Sequence, residues 1–339
     1  MKITIKDVAI EAKVAPSTVS RVINGKDQLA EETKEKVLRA IEKLDYRPNA
    51  IARSLVNKKR NMLGVVMPNE AQDFLSHHFF LEAMKGMSAF AQEKKYYITY
   101  AFSKDEISEE RYVRELCDSS MVDGIFLLRA KDEDKVIEYL KKISFPFVII
   151  GRPQNTEDVL WVDNDNFKAT YNLTEKVINK GAKKIAFLGA RPHWNVTKDR
   201  FNGFKISCDI NGLSVDENLV LYGEDFSEEI GYELTEKLLA KEINIQAIIT
   251  TDDLLAIGVL KKLKELCMKN IIVTGFNNIP LAPYQSPSLT SVDIRARDLG
   301  YVATELLINS LEGIDNINNH KIIDCRLIER NSLDFEVKK

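Results

Sequence analysis

From Leu63 onward, short apolar runs alternate with amphipathic stretches at a steady beat, and that alternation constrains the fold more than any other feature. The runs include Leu63-Gly64-Val65-Val66-Met67, Tyr97-Ile98-Thr99-Tyr100, Gly124-Ile125-Phe126-Leu127-Leu128 and Phe147-Val148-Ile149-Ile150. They continue through Ile185-Ala186-Phe187-Leu188, Ala247-Ile248-Ile249 and Ile271-Ile272-Val273. Strands separated by helices of about a dozen residues predict an α/β fold of parallel sheets flanked by helices. No GxGxxG follows a strand and no GxxxxGK[ST] occurs, so a nucleotide-phosphate cradle is not indicated.

The first sixty residues follow a different pattern. Thr4-Ile5-Lys6-Asp7 reads as a capping pattern ahead of an apolar stripe at Val8, Ala9 and Ala12. After a turn at Lys13-Val14-Ala15, Pro16 suits the first position of a second helix, which ends at Asn24-Gly25. Its Val19, Val22 and Ile23 face inward, leaving Pro16, Ser17, Ser20 and Arg21 outward. A third helix from about Glu31 to Leu44 closes a mini-core with Val37, Leu38, Ile41 and Leu44. Two short helices across a tight turn, backed by a third, form a helix-turn-helix. Residues 1–60 hold 14 Lys/Arg against 8 Asp/Glu, a net of +6, leaving −9 of the chain's −3 total for the rest. A basic head on an acidic body is the electrostatic footprint of a phosphate-backbone binder.

The segment KDVAIEAKVAPSTVSRVINGK, followed by EETKEKVLRAIEKLDYRPNAIARSL, resembles the DNA-binding head of the LacI/GalR family over about sixty residues. Ala15 and Ala30 depart from it, standing where such heads often carry a Ser N-cap, each loss being worth about 1 kcal/mol of helix stability. The resemblance implies that the second helix lies in the major groove. There Arg21 reaches guanine O6 and N7, and Pro16 and Ser17 read adjacent bases. Thr18, Ser20 and Asn24 are placed for phosphates, with Thr4 counted among the DNA-facing residues. It also implies a hinge helix after Pro48, capped by Asn49. Small Ala50 and Ala52 allow close approach to a dimer mate, and Leu55 acts as an apolar wedge in the minor groove.

The same resemblance implies a two-lobed, periplasmic-binding-protein-like core whose ligand sits between lobes, at the carboxyl ends of the strands. Arg200 corresponds to an arginine that holds effector hydroxyls, Asp252 to a hydroxyl acceptor and Phe226 to an aromatic packed on the effector. Asn277 stands where many relatives have Asp, keeping an acceptor but losing the charge. Arg129, Arg152, Trp161, Asp163 and Trp194 join them by strand-end location. Asp252 also suits the N-cap of the helix it precedes, and Phe226 and Trp161 suit ordinary core. The stretches Trp161–Asn166, Val196–Arg200 and Pro280–Gln285 resemble maltose-operon repressors of Gram-positive bacteria, implying maltose or a related α-glucoside. Gly151 stands where lactose-type repressors place an Asp, so a galactoside is not expected.

The expected organisation is a helix-turn-helix domain over residues 1–46, a hinge over 47–60 and a core over 61–339. The core divides into one lobe of about 61–160 plus 293–322 and another of about 161–292 plus 323–333. Expected partners are double-stranded palindromic operator DNA, a small sugar effector and a second copy of the chain. The segment after Arg330 carries no leucine heptads for a tetramerising tail. No signal layout and no run of about 20 apolar residues occurs, so a cytoplasmic protein without membrane association is expected. Cys117, Cys208, Cys267 and Cys325 lie far apart in core-like contexts, which reads as reduced, buried thiols. His77-His78 has no accompanying ligand cluster, so no metal is expected, nor any cofactor. No nucleophile–base–orienter set or paired carboxylates can be placed, which argues against an enzyme. The alternatives are a catabolite-control regulator recruiting a phosphorylated partner through Arg295 and Arg297, diluted by Asp293 and Asp298, and a sugar receptor without a DNA role.

Overall fold

The computed structural model describes residues 3–23, 29–46, 60–68, 78–130, 134–241, 243–314 and 318–334. It divides into two units, Met1–Asn61 and Met62–Lys339. The first contains α1 (Ile5–Ala12), α2 (Pro16–Ile23) and α3 (Glu31–Lys43). The Asp7 carboxylate accepts from both the backbone N–H (2.8 Å) and the hydroxyl (2.7 Å) of Thr4, which fixes the start of α1. Lys13, left-handed at φ 52°, ends that helix. As the two alanines foreshadowed, Ala30 gives α3 no side-chain cap.

Val8, Ala9, Ala12, Val19, Val37 and Ala40 form the buried centre of this unit, with Val22, Ile23, Ile41 and Leu44 packed around it. Leu38 does not belong to that core: it is 57% exposed. Residues 37, 40, 41 and 44 share one face of a 3.6-residue helix, whereas Leu38 is rotated about 100° away from Val37. The reading that placed Leu38 in the mini-core is therefore corrected to Ala40.

The second unit is built on two six-stranded sheets. The first holds β1 (Met62–Met67), β2 (Tyr97–Phe102), β3 (Gly124–Leu127), β4 (Phe147–Ile150), β5 (Leu160–Asn164) and β11 (His320–Ile323). Its order is β11-β5-β4-β3-β1-β2, parallel throughout. The second holds β6 (Ile185–Gly189), β7 (Val220–Tyr222), β8 (Ala247–Thr250), β9 (Ile272–Phe276), β10 (Thr290–Asp293) and β12 (Arg326–Ile328). Its order is β12-β10-β9-β8-β6-β7, with only β12 antiparallel. Central strands such as β3, β4, β6 and β8 are buried along their whole length. Helices cover both faces of such sheets, so continuous Ile, Val, Leu and Phe runs replace the alternation of a half-exposed strand.

Those helices are α4 (His78–Glu93), α5 (Glu106–Asp118), α6 (Lys135–Lys142), α7 (Asn166–Asn179), α8 (Asn195–Ile210), α9 (Glu228–Leu239), α10 (Asp253–Glu265) and α11 (Ala296–Glu312). Three pairs pack closely, α4 on α11, α7 on α8 and α9 on α10. Each pair meets backbone to backbone at glycine. A Cβ on Gly86 would lie 1.9 Å from the Arg297 carbonyl oxygen, one on Gly203 2.2 Å from that of Phe167, and one on Gly258 2.1 Å from that of Glu228.

Among the described residues, the chain passes between the sheets three times, after β5, after β10 and after β11. The first passage follows Asn164, a few residues past the expected boundary at about 160, because Leu160, Trp161 and Val162 pair with β4 and so remain in the first sheet. Likewise Ile323 pairs with Asn164 and closes β11 in that sheet. Cys117 and Cys208 are buried and Cys325 is partly so, but Cys267 is exposed. Cys267 lies beyond α10 in a left-handed turn at φ 51°, past Leu263, the last buried residue of that helix, which corrects the expectation of four core thiols. Among the described residues, no helix is long and apolar enough to cross a membrane.

Candidate functional site

In a parallel sheet the strand carboxyl ends and the following helix amino ends gather on one edge. Here those edges of both sheets line one cavity, with about 1020 Å³ of atom-free space, mouth included. The first sheet contributes Arg129 after β3, Gly151 and Arg152 after β4, and Asp163 on β5. The second contributes Trp194 before α8, Arg200 on α8, Phe226 after β7, Asp252 after β8 and Asn277 after β9.

Arg200 is the centre of the arrangement, at 4% exposure. Its Nε donates to Asn166 Oδ1 (3.0 Å) and its Nη1 to the Thr251 carbonyl (2.5 Å), while the guanidinium lies 4.2 Å from the Phe276 ring centroid. Asn166 passes the chain on, donating from Nδ2 to Asp163 Oδ1 at 3.0 Å. Asp163 also accepts from the backbone N–H of Asn164 (2.7 Å) and, through Oδ2, of Arg152 (2.9 Å). A continuous polar chain therefore runs from the β4 loop of one lobe to the β8 loop of the other. Burial pushes the arginine's pKa down, partly offset by neighbouring acids that include Asp252 and Asp163.

Asp252 caps α10 by accepting from the Leu254 N–H (2.6 Å) and accepts from the Asn277 amide. The helix-cap reading of this residue therefore holds, and the same carboxylate lines the cavity. Burial raises the Asp252 carboxyl to about 7 and Asp163 to about 6, each held back by backbone N–H donors and by Arg200. Polar groups that titrate near neutrality face a wall of Phe79, Phe80, Trp194, Phe226, Ile150 and Ile279. Trp194 makes a tilted contact with Phe226, centroids 5.4 Å apart, and the Arg129 guanidinium lies 5.5 Å from its ring. Arg129 is itself paired with Glu109 at 3.1 Å, both side chains 14% exposed or less. Aromatic faces beside a few convergent hydrogen-bonding groups suit a polyhydroxylated ring, apolar on its faces and polar at its edge.

Eight of the nine expected cavity residues line it. Trp161 does not: it is 5% exposed within the cluster that includes Val66, Ile149 and Leu140. One face of its ring is stacked on His320, 4.6 Å between centroids and 6° between planes. It lies one pleat below Asp163, so it faces the same side of the sheet but is roofed by helices instead of the cavity. Sequence reasoning missed His78, Phe79 and Phe80 at the start of α4 and Asn166 at the start of α7. The available signal was the rule that helix amino ends follow strand carboxyl ends. The His78 pKa is lowered, chiefly by burial and against the pull of Glu82 (3.8 Å), and among the described residues no group of three or more potential ligands could hold a metal ion. Gly151 adopts φ 123°, with a would-be Cβ 3.2 Å from the Ala130 nitrogen, so an Asp there would be strained.

In the first unit, Pro16, Ser17 and Arg21 are exposed on α2, and Thr18 and Ser20 are partly buried. Thr4 is exposed but its hydroxyl is engaged by Asp7. Asn24, Asn49, Ala52 and Leu55 lie outside the described residues.

Residues 4–49 match the family described as bacterial regulatory proteins, lacI family, and residues 174–333 match the periplasmic binding protein-like domain. The HTH-type transcriptional regulator MalR of Streptococcus pneumoniae serotype 4 is 37% identical over 333 residues, spanning 97% of this chain and 98% of that protein. The solved transcriptional regulator CelR–cellobiose complex is 26% identical, with a TM-score of 0.77 over 97% of this chain and 99% of that one. The lac repressor dimer bound to operator and the anti-inducer ONPF superposes with a TM-score of 0.84 over 98% of this chain and 99% of that one, and at 20% identity shares the fold.

Proposed function

Because the chain belongs to the lacI family of bacterial transcription regulators, we propose that it is a homodimeric repressor whose affinity for a palindromic operator is set by a small sugar in the cleft, maltose or a related α-glucoside. The observation that carries this reading is the Arg200–Asp163–Asp252 set facing Trp194 and Phe226 across one cavity. Arg200 supplies donors to ring hydroxyls, the two aspartates and Asn277 supply acceptors, and the aromatic residues cover the apolar ring faces. A similar solved structure described as a probable maltose operon transcriptional repressor, and another in complex with the disaccharide cellobiose, support the same ligand class.

Sugar bound to residues of both lobes favours the arrangement in which those residues converge. The resulting population shift acts on the operator only in so far as the two lobe arrangements bind DNA differently. On this reading Arg21, Pro16 and Ser17 read bases, while Asn49, Ala52 and Leu55 belong to the hinge and minor-groove wedge. Fluorescence anisotropy on a palindromic operator from the gene's own upstream region, at fixed salt, tests the proposal. Specific binding weakened by maltose is the expected result, and specific binding indifferent to every sugar would remove the effector assignment. The catabolite-control alternative draws less support, because Arg295 is already held by Asp298 at 2.6 Å.

A further inference from the structure

Asn277 and Asn278, which follow β9, are consecutive non-glycine residues with positive φ, 94° and 48°. Such backbone persists only where surrounding contacts over-determine it. The contacts here are specific. Asn277 N–H donates to the Val292 carbonyl (2.8 Å), Asn278 N–H to Ser291 Oγ (2.9 Å), and Ile279 N–H to Asp253 Oδ2 (2.8 Å). The remaining anchor comes from outside the cavity. Arg330, in the segment after β12, donates from Nη2 to Asn278 Oδ1 and from Nη1 to the Leu289 carbonyl, each at 2.7 Å. Its own backbone is locked to Thr290, whose Oγ1 accepts from the Arg330 N–H at 2.8 Å and donates to the Arg330 carbonyl at 2.9 Å.

We infer that Arg330 is a positioning residue for the ligand cleft, clamping the left-handed Asn277-Asn278 turn so that the Asn277 amide is delivered to the cavity and to Asp252. Arg330 does not line the cavity; it acts through Asn278. The inference rests on the reading of this cleft as the sugar site. Removing the guanidinium frees the Asn278 side chain, and with that anchor gone the turn, held at φ 94° at Asn277, is free to relax. The Asn277 amide leaves Asp252, and an acceptor–donor pair facing the ligand is lost.

A glycine at position 278 adopts positive φ without strain and needs no clamp. The test is therefore a double-mutant cycle of Arg330→Ala and Asn278→Gly in the full-length protein, read by maltose-dependent release from operator DNA. Arg330→Ala alone is expected to raise the maltose concentration for half-release about tenfold, within the range of couplings measured inside one hydrogen-bond network. Its operator affinity without sugar stays unchanged. In the Asn278→Gly background the same substitution is expected to shift half-release by less than about threefold. Equal losses in both backgrounds would overturn the inference, since Arg330 would then act only by packing its own segment. If the parent protein responds to no sugar, the effector reading fails separately. A crystal structure of Arg330→Ala then decides the clamp: displacement of the Asn277 amide from Asp252 upholds it, and an unmoved amide overturns it.

Discussion

Replacing Arg200 with alanine tests the electrostatic account of the cleft most directly. The substitution orphans two acceptors, Asn166 Oδ1 and the Thr251 carbonyl, and removes the cation beside Asp163 and Asp252. Leaving a buried acceptor unsatisfied costs about 1–3 kcal/mol. Loss of an adjacent opposite charge raises a carboxyl pKa by about 1–3 units, and each unit is worth about 1.4 kcal/mol, so the two acids together add about 3 kcal/mol where they must ionise. Both acids already titrate above the ordinary 3.8, at about 6 and about 7. A raised acid holds its proton more tightly in the folded state than in the unfolded chain. The stability it contributes is therefore fully present below about pH 4 and is lost as the pH rises through 6 and 7. Removing Arg200 moves that loss further, so the variant's deficit should be roughly 2 kcal/mol at pH 5 and widen to roughly 5 kcal/mol at pH 8. Urea unfolding at the two pH values measures the difference, with operator anisotropy reporting in parallel that maltose no longer acts. A deficit that stays constant between pH 5 and 8 would refute the idea that Arg200 neutralises these carboxylates.

The same titrations predict pH-dependent sugar binding: hydroxyl donors favour the ionised carboxylates, so affinity should climb as the pH passes through 6 and 7 and level off above about 8. Calorimetry in two buffers of different ionisation enthalpy should detect proton release, and a flat profile would exclude participation of both acids. Gly86→Ala places a methyl group 1.9 Å from the Arg297 carbonyl oxygen, so α4 and α11 must separate. A loss of about 1–3 kcal/mol in denaturant unfolding is expected, and an unaltered midpoint would mean that the pair parts freely. Arg21→Ala, at an exposed position on α2, should weaken specific operator binding by about 1–3 kcal/mol while leaving non-specific binding nearly as tight. Equal losses on both DNAs would assign Arg21 to phosphate.

The strand rhythm made the two sheets legible, because a strand buried on both faces needs an unbroken apolar run and few other elements do. The cavity was legible for the same reason: a residue directly after such a run can only lie at the sheet's carboxyl edge, which is where Arg129, Arg152, Asp252 and Asn277 are found. The rule fails one residue inside the run. Trp161 and Asp163 share a sheet face, but only the latter reaches past the covering helices, and sequence alone carries no measure of where that cover stops. It also fails for residues that enter from helix starts, such as Phe79 and Asn166, whose distance from the preceding strand depends on loop geometry. Least legible are contacts joining distant segments. The Asn164 amide, at the first passage between lobes, donates to the carbonyls of Ile294 (3.0 Å) and Ile323 (2.8 Å), at the second and third. One side chain thus ties these three passages, one of its two hydrogen bonds buried and the other partly so, and relative movement of the lobes that did not turn about this point would strain both. A ligand that draws Asp163 toward Arg200 pulls on the residue next to that tie. On the proposed reading, closure of the cleft turns the lobes about this tie, which would carry occupancy of the cavity beyond it.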